Sequence, residues 1–316
     1  FFLSISVLIC TVFIYKQIHA VFNAETGVDR NNILVLETSL WYNAEDFIQV
    51  IKKENPNIID ASIALSAPYN SSYNYSGVSW TGGKESSKEM EFTQIFCDHH
   101  YANTFGLEVI QGEFIPAGLS WWQYADEKSF HIVINEAFKK VIGEENPIGI
   151  TVRYAWGMEG KIIGVVKDFN FKPLKEPITP LIISFNPESS NNVYIKTTGR
   201  DKKATLDYII AKYKEMKPDF KKHPVIYHTV EDEYNEMYET ELRTAGMLSV
   251  FSVISFFLTL MGIISMLSFM IEKRSKEIAI RHTEPLALKE FRNRWYLLAK
   301  DLKDSKVKSF ALDRLN

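Results

Sequence analysis

Four adjacent residues, Cys97-Asp98-His99-His100, combine side chains that bind transition metals. Thiolate and imidazole groups are ligands that zinc and related ions prefer. Neighbouring side chains on a strand point to opposite faces, so four in a row converge poorly if the run is extended. The other interpretation is a strand that ends before a helix, with Asp98 as the N-cap residue. We favour the N-cap interpretation and expect no metal and no cofactor in this chain.

A second group of reactive side chains, His228 with Glu231, Asp232 and Glu233, lies just before the longest apolar run. Carboxylates in the first turn of a helix are stabilised by the positive end of the helix dipole, so this group needs no catalytic role. The sequence has no glycine-rich phosphate loop ending in Lys-Ser or Lys-Thr, and no nucleophile elbow. We therefore expect that the chain is not an enzyme and does not bind ATP through a P-loop.

A third group is aromatic: Trp121, Trp122 and Tyr124 follow the turn residues Pro116-Ala117-Gly118. Aromatic pairs on loops often form contact surfaces for a partner or an apolar substrate. They also fold under their own loop as local packing. Both interpretations remain open, and the three residues are candidates for a contact with a partner.

The longest apolar run, from Ala245 to Ile271, contains no charged residue. About 20 apolar residues, at ~1.5 Å each, span the ~30 Å hydrocarbon core, so 245–271 predicts a transmembrane helix. The alternative is a buried helix of a soluble domain, although such a helix usually keeps a polar face. Small residues of the kind that let another membrane helix pack closely occur in the run: Gly246, Ser249, Ser252, Gly262 and Ser265.

The residues after this run are basic, with Lys273, Arg274, Lys276 and Arg281 in quick succession. By the positive-inside rule they place this end of the helix in the cytoplasm. From Glu272 to the end there are 12 Lys and Arg against 7 Asp and Glu, whereas the preceding residues carry a net charge of −8 within a total of −3. An acidic main body has no basic excess to neutralise phosphates, so we exclude nucleic acid as its partner.

The first residues, Phe1 to Tyr15, are also apolar, and Lys16 is the first charge. We interpret 1–15 as a transmembrane helix whose first turns precede the sequence. A signal peptide is the alternative, with His19-Ala20 or Asn23-Ala24 as a weak cleavage site. Either interpretation places residues 16–240 outside the cytoplasm as a large domain.

That domain has the composition of a water-soluble protein, since the 316 residues are 46% hydrophobic and 24% charged. Cys10 and Cys97 are the two cysteines, which are too few for a disulfide framework. Hydrophobic patterns predict a mixed α+β fold with two β-α-β units on one sheet and an inserted subdomain between them. The first unit covers 32–38, 44–55 and 58–65; the second covers 192–197, 202–216 and 224–228.

Between these units the patterns predict further elements. Strands are expected at 90–95 and 160–166. Short helices are expected at 102–112 and 135–143, with Gly112 and Gly143 as their stops.

Five pieces of sequence in this order resemble the second half of a MacB/FtsX-type ABC-transporter permease, of the long kind common in Bacteroidetes. They are Val28 to Leu34; Tyr101 to Leu107 with Gln111 to Phe114; Ile132 to Glu136 with Glu145 to Gly149; Gly160 to Phe169; and Glu272 to Arg281. The resemblance implies an extracytoplasmic MacB-like core domain between two transmembrane helices, in the bacterial inner membrane. It also implies transport or efflux by mechanotransmission, driven by ATP hydrolysis in a separate subunit.

The same resemblance implies that residues 272–281 form a cytoplasmic coupling segment that touches the ATPase subunit. Glu277 and Arg281 would offer charges to that partner, and Ile278 and Ile280 would pack against it. The alternative is that this segment only anchors the helix at the lipid surface. Membrane lipid, a second permease copy and a periplasmic partner are further expected contacts, the last through the Trp121 loop.

The family pattern ends after Arg281, where two more membrane spans would be expected. Instead, Phe291 to Leu298 and Phe310 to Leu315 resemble the start of a WYL domain, a module of bacterial cytoplasmic transcription regulators. We interpret 282–316 as a WYL-like fragment beyond a chimeric junction near His282; a genuine fusion is the alternative. A membrane-anchored extracytoplasmic sensor or receptor remains the alternative function, because it has the same order of parts.

Overall fold

The computed structural model describes residues 2–22, 24–38, 40, 43–71, 73–81, 83, 90–118, 130–154, 157–186, 190–218, 223–277 and 283–312. The helices in these residues are α1 (Phe2–Phe22), α2 (Ala44–Glu54), α3 (Tyr101–Phe105), α4 (Glu136–Ile142), α5 (Lys202–Met216), α6 (Val230–Met237) and α7 (Glu239–Glu277). The first strands are β1 (Ile33–Glu37), β2 (Ile58–Ala64), β3 (Asn74–Ser76), β4 (Ser79–Trp80), β5 (Glu91–Cys97), β6 (Val109–Gly112), β7 (Phe130–Asn135) and β8 (Thr151–Tyr154). They are followed by β9 (Met158–Val166), β10 (Leu181–Phe185), β11 (Asn192–Thr197), β12 (Tyr227–Thr229), β13 (Thr283–Phe291), β14 (Arg294–Asp301) and β15 (Val307–Ala311).

The chain divides into two compact units. One contains residues 14–245 and is called the α+β unit below; the other contains residues 1–13 and 246–316. A 12-stranded sheet lies in the α+β unit and a three-stranded sheet in the other. The mixed α+β fold predicted from the sequence is therefore confirmed.

The two predicted β-α-β units form one end of the large sheet, in the strand order β12-β1-β11-β2. Because β11 is antiparallel to both β1 and β2, these two strands are parallel to each other but not adjacent. In the same way β1 separates β11 from β12. Strand β11 of the second β-α-β unit therefore lies between β1 and β2 of the first, and β1 lies between β11 and β12 of the second. This is the split β-α-β arrangement.

Helices α2 and α5 pack on one face of these four strands. Phe47, Ile48 and Ile51 of α2 are buried against β1, β2 and β11 and share one cluster with Ile209 and Tyr213 of α5. The helical period of three to four residues places these side chains on one face of each helix, as the sequence predicted. The opposite face of the sheet is covered by α3, by α6 and by the last residues of α1. Side chains of these helices form a second cluster.

The inserted section between β2 and β11 extends the sheet. β5 pairs with β10, β10 with β7, and β7 with β9, with β8 and β4 beyond. A separate core of Phe92, Ile132, Ile134 and Phe138 fixes this end of the sheet. The predicted helix at 135–143 is α4: the Asn135 side chain accepts a 3.0 Å hydrogen bond from the Phe138 N–H.

The helix predicted at 102–112 is wrong beyond its first turn. α3 ends at Phe105, because Gly106 adopts a left-handed conformation with φ of 68°. Gly112 does not stop a helix; it lies on β6, paired with Gly164 of β9. An added Cβ on Gly112 would lie 2.1 Å from the Ile163 carbonyl oxygen, so glycine here permits close backbone approach.

Two helices, α1 and α7, are long and apolar enough to cross a membrane. The qualifying stretches are Ile5–Phe22, with mean hydropathy 1.7, and Glu239–Lys273, with mean hydropathy 2.3. The second stretch is only 6% buried, so α7 is not the core helix of a soluble domain within the described residues. In the smaller unit, the hydroxyl groups of Thr11 on α1 and Ser252 on α7 lie 2.6 Å apart. Such polar contacts between small residues are typical of packed membrane helices.

Strands β13, β14 and β15 form an antiparallel sheet after α7. Leu286, Leu288, Phe291 and Trp295 on its strands remain exposed. Lys308 holds the end of the sheet through a 2.8 Å ion pair with the buried Asp301. Three strands alone thus leave their apolar side chains uncovered, as expected for so small an element.

Candidate functional site

Four aromatic rings from separate parts of the α+β unit meet where α1 ends and α6 begins. The Phe22 ring lies 6.0 Å from Tyr234 and 5.8 Å from Tyr238, both edge-on. Tyr69, from the loop after β2, lies 5.5 Å from Tyr234 at 85°. Edge-to-face pairs of this kind stabilise by about 0.5–1.5 kcal/mol each beyond the area they bury. These four residues together with Arg30 are called the aromatic joint.

Polar contacts fix the geometry of the aromatic joint. The guanidinium carbon of Arg30 lies 3.7 Å from the centroid of the Tyr234 ring, within the range of a cation–π contact. The Tyr69 hydroxyl donates a 2.7 Å hydrogen bond to Glu233. The other carboxylate oxygen of Glu233 lies 2.7 Å from Nε2 of His228. Burial, and then the charge of Glu233, raise the pKa of Tyr69, so its hydroxyl stays protonated and remains a donor.

The start of α6 is fixed by a capping box. The Thr229 hydroxyl accepts a 3.1 Å hydrogen bond from the Asp232 N–H, and Asp232 Oδ2 accepts a 3.0 Å bond from the Thr229 N–H. These contacts satisfy two backbone donors at the start of the helix. The Thr229 hydroxyl also donates a 2.7 Å bond to Asp232 Oδ2, and this bond, followed by the one from the Thr229 N–H, lowers the pKa of Asp232. Glu231, Asp232 and Glu233 lie in the first turn, where the sequence analysis placed them at a helix start.

One residue interrupts the path from α6 into the apolar helix α7. Tyr238 lies between them, with φ of −111° and ψ of 12°. Its hydroxyl accepts a 3.2 Å hydrogen bond from the Leu174 N–H, in the loop before β10. The interruption carries neither glycine nor proline, so no local signal in the sequence predicts it. Tyr238 thus ties the junction of α6 and α7 to the loop before β10.

The contact residues predicted from the sequence cannot be placed in this geometry. Glu277 is the last residue of α7. Ile278, Ile280 and Arg281 lie outside the described residues, as does the aromatic group of Trp121, Trp122 and Tyr124. Their roles as an ATPase contact and as a periplasmic contact remain predictions.

The four residues Cys97-Asp98-His99-His100 do not lie on one strand: Cys97 ends β5, and His99 and His100 lie in the turn that follows. Cys97 ends β5 and is buried, and burial raises the pKa of its thiol. Asp98 is not an N-cap: the cap residue of α3 is His100, and it makes no side-chain cap bond. The Asp98 carboxylate instead accepts bonds from the Ser62 hydroxyl, at 2.7 Å, and the Ile63 N–H, at 2.9 Å. Asp98 thus fastens β2 to the end of β5, and burial raises its pKa to about 6.

His99 and His100 follow in a turn, where adjacent side chains are not forced to opposite faces. Their rings lie 4.0 Å apart between centroids, and both face Glu45 of α2. These two histidines therefore converge, although neighbouring side chains on a strand would point to opposite faces. They can do so because the strand ends at Cys97, one residue before Asp98.

Comparison with known proteins gives a family match for one part of the chain and likenesses for another. A family model described as WYL domain matches residues 267–316, a range that begins within α7. The periplasmic region of MacB from Actinobacillus actinomycetemcomitans is similar at 13% identity and a TM-score of 0.41, covering 69% of this chain and 97% of that one. The extracellular domain of YknZ, a noncanonic ABC-type transporter from Gram-positive bacteria, is similar at 14% identity and a TM-score of 0.38, covering 62% and 98%. No curated protein matches the sequence.

Proposed function

We propose that this chain is a permease subunit of an ABC transporter of the MacB/FtsX type, in which the α+β unit lies outside the cytoplasm. The observation that carries the proposal is a split β-α-β domain bracketed by two exposed apolar helices. The five sequence pieces that resemble this family follow the same order along the chain. The order of parts suits a subunit that links motion across a membrane.

The charges at the two ends of α7 support an orientation with its C-terminal end in the cytoplasm. Basic residues Lys273, Arg274 and Lys276 follow the apolar stretch, and the positive-inside rule assigns them to the cytoplasm. At the other end, Glu239 and Glu241 lie in the first turn of α7. These charges support an extracytoplasmic position for the α+β unit, and the proposal places the two apolar helices in the inner membrane of a bacterium.

In this proposal the chain performs no chemistry itself. ATP would be hydrolysed by a separate ATPase subunit, which would contact residues Glu277 to Arg281. Motion of α7 would then pass through Tyr238 and the aromatic joint into the sheet, because Tyr238 bonds to the loop before β10 and packs on Phe22. A packed joint has discrete arrangements rather than a continuous range, so a small shift of α7 can select between two positions of the domain.

Further partners fit the same proposal. Gly246 and Gly262 on α7 have no atom of the described residues within 4 Å of an added Cβ, which leaves room for another membrane helix. A second permease copy or a further span would supply it. The loop of Trp121, Trp122 and Tyr124 would contact a periplasmic partner or an apolar substrate for export.

A membrane-anchored sensor is the second candidate. The WYL match to residues 267–316 favours it, because such a module directly after a membrane helix would act on the cytoplasmic side. A sensor of this kind needs no ATPase subunit. The two candidates share one topology and differ in whether an ABC ATPase binds and responds to the chain.

Cysteine labelling on spheroplasts tests the topology. Lys203 of α5 and Lys303 after β14 are both exposed, so K203C and K303C are matched reporters in a chain with C10S and C97A. A membrane-impermeant maleimide should label K203C on intact spheroplasts and K303C only after lysis. Equal labelling of both before lysis, or protection of K203C, would contradict the transmembrane arrangement.

ATPase measurement in liposomes then separates the two candidates. If the chain is a permease, an ABC ATPase should be encoded beside it and co-purify with it, and the hydrolysis rate of that ATPase should change on reconstitution with the chain. An unchanged rate with correct topology would favour the sensor.

A further inference from the structure

Three side chains that commonly bind transition metals meet at one edge of the α+β unit. Glu45 lies in the first turn of α2, and His99 and His100 lie in the turn between β5 and α3. Nε2 of His99 is 3.9 Å from one oxygen of Glu45, and Nε2 of His100 is 3.7 Å from the other. One nitrogen or oxygen atom from each of the three residues lies within 4.8 Å of the others.

The two histidines are held so that their Nε2 atoms face the same space. Nδ1 of His100 is 3.2 Å from Asp60, whose carboxylate also accepts a 2.9 Å bond from the Ala61 N–H and a 2.6 Å bond from Lys52. In the neutral imidazole, a carboxylate that accepts from Nδ1–H fixes the tautomer with a lone pair on Nε2, which is the form that binds a metal. This arrangement of carboxylate and histidine is the usual outer support of a metal-binding imidazole.

The Nε2 atom of His100 is buried and has no hydrogen-bond partner among the residues that the structure describes. A buried polar atom without a partner destabilises the folded state. A bound ion would remove that cost. The Glu45 side chain is 44% exposed, whereas His99 and His100 are 16% and 14% exposed, so an ion can enter from the side of Glu45.

The separations suit a tetrahedral ion. Two ligand atoms at about 2.0–2.1 Å from zinc lie about 3.3 Å apart in tetrahedral geometry. The two nitrogen–oxygen distances, 3.7 and 3.9 Å, run to different oxygens of Glu45. With one ligand atom from each residue, all separations are within 4.8 Å, so they need to shorten by at most about 1.5 Å to reach tetrahedral geometry. Two imidazoles and one carboxylate favour Zn²⁺, Co²⁺ and related ions over Mg²⁺ or Ca²⁺, which prefer oxygen ligands alone.

We propose that Glu45, His99 and His100 bind one divalent transition-metal ion of the zinc class, with Asp60 as the residue that positions His100. Three protein ligands leave one coordination position for water or for a group from a partner. The site joins α2 to the turn after β5, so occupancy ties the first β-α-β unit to the inserted section. The alternative for the same residues is an ion pair between a protonated His100 and the two carboxylates, without a metal.

The test uses the full chain, purified in detergent, stripped with a chelator and titrated with Co²⁺. Visible absorption should show tetrahedral Co²⁺ saturating at one equivalent, and Zn²⁺ should displace it. E45Q, H99N and H100N should each lose this signal or weaken binding by more than about 100-fold, and D60N should weaken it about 10–100-fold with an unchanged spectrum. H223N is the matched control, because His223 is exposed and outside the cluster, and it should bind as the wild type does.

The variants are checked by circular dichroism before titration. Of these variants we expect E45Q to disturb folding least, because glutamine keeps an oxygen that can accept the 2.9 Å bond from Gln49. Saturable Co²⁺ binding that survives in E45Q, H99N and H100N would overturn the site, as would no saturable binding in the wild type. Equal loss in H223N would also overturn it, and an unchanged affinity in D60N would remove the role assigned to Asp60.

Discussion

The Tyr69 hydroxyl donates a 2.7 Å hydrogen bond to the Glu233 carboxylate, although the two residues are 164 positions apart in the sequence. The bond joins the loop after β2 to the first turn of α6 inside the aromatic joint. Because the acceptor is charged and the donor is buried, losing the hydroxyl should cost about 1–3 kcal/mol of unfolding free energy. This contact is therefore the first we would test by mutation.

Tyr69→Phe keeps the ring that packs on Tyr234 and removes only the hydroxyl. We expect the thermal midpoint of the α+β unit to fall in detergent, while the fold is retained. Tyr73→Phe is the matched control, because Tyr73 is 40% exposed and its ring packs on Phe96. Equal effects of the two substitutions would mean that the Glu233 contact adds no stability.

A second prediction concerns Gly164, which is paired with Gly112 where β6 meets β9. A Cβ on Gly164 would lie 2.0 Å from the Glu113 carbonyl oxygen, so the two backbones would have to separate. Gly164→Ala should destabilise the unit by about 2–3 kcal/mol or more, at the upper end of overpacking costs. The thermal midpoint, measured as for Tyr69→Phe, reports this loss.

Gly143→Ala separates steric overlap from backbone strain. Gly143 has φ of +81°, and apart from its chain neighbours no atom of the described residues lies within 4 Å of an added Cβ, so alanine there carries only the left-handed cost of about 1–2 kcal/mol. We expect Gly164→Ala to be the more damaging substitution. A smaller effect at Gly164 than at Gly143 would show that β6 and β9 separate at little cost.

The local elements were predictable, whereas their long-range partners were not. The strand at 192–197 and the helix at 202–216 coincide with β11 and α5, since alternation and helical spacing are properties of short segments. The interleaving of β1, β2, β11 and β12 depends on pairings more than 100 residues apart, which no local pattern contains. Asp98 was misassigned for the same reason: its partners, Ser62 and Ile63, lie on another strand.

The candidate site was predictable only in part. The acidic first turn of α6 follows from the sequence, because a run of three carboxylates before an apolar segment suits a helix start. The rings of Phe22, Tyr69 and Tyr238 come from separate segments, and nothing local marks them as neighbours. The convergence of His99 and His100 required knowing that the strand ends at Cys97.

A third prediction concerns the pH dependence of the metal-free chain, through His100. Burial alone lowers the pKa of this imidazole, but the carboxylates of Asp60 and Glu45 outweigh burial and raise it from 6.5 to about 9. A group with a raised pKa in the folded state stabilises fully below its unfolded pKa, and this contribution is lost as the pH rises through the folded pKa. The stability from His100 should therefore decline between pH 6.5 and about 9.

Thermal unfolding with a chelator present, at intervals across this window, checks the sign. The midpoint of the wild type should fall by about 2–4 °C for each kcal/mol lost. His100→Asn should show a flatter dependence. The buried Asp98 does not add to the pH dependence between pH 6.5 and 9, because its own pKa of about 6 places its titration below that range. Parallel curves for the two proteins would mean that His100 is not protonated in the metal-free chain.

The last prediction addresses the proposed contact with the ATPase subunit. A full-length permease with Glu277 and Arg281 both replaced by Ala should reach the membrane and keep its topology, because the apolar stretch Glu239–Lys273 is unchanged. Its ATP-coupled activity should fall about tenfold or more, since about 1.4 kcal/mol of lost coupling is one factor of ten. The measurement is ATPase stimulation after reconstitution with the partner subunit.

A matched control separates coupling from anchoring at the lipid surface. E272A/K273A also removes one acidic and one basic residue, from the part of residues 272–281 that precedes the proposed Glu277–Arg281 contact, and therefore leaves the same net charge. If the segment only anchors the helix, both double variants should behave alike, because the positive-inside rule counts Lys and Arg equally. If Glu277 and Arg281 contact the ATPase, their variant alone should lose stimulation while E272A/K273A stays near the wild-type rate. Normal stimulation in E277A/R281A would place the contact elsewhere in the chain.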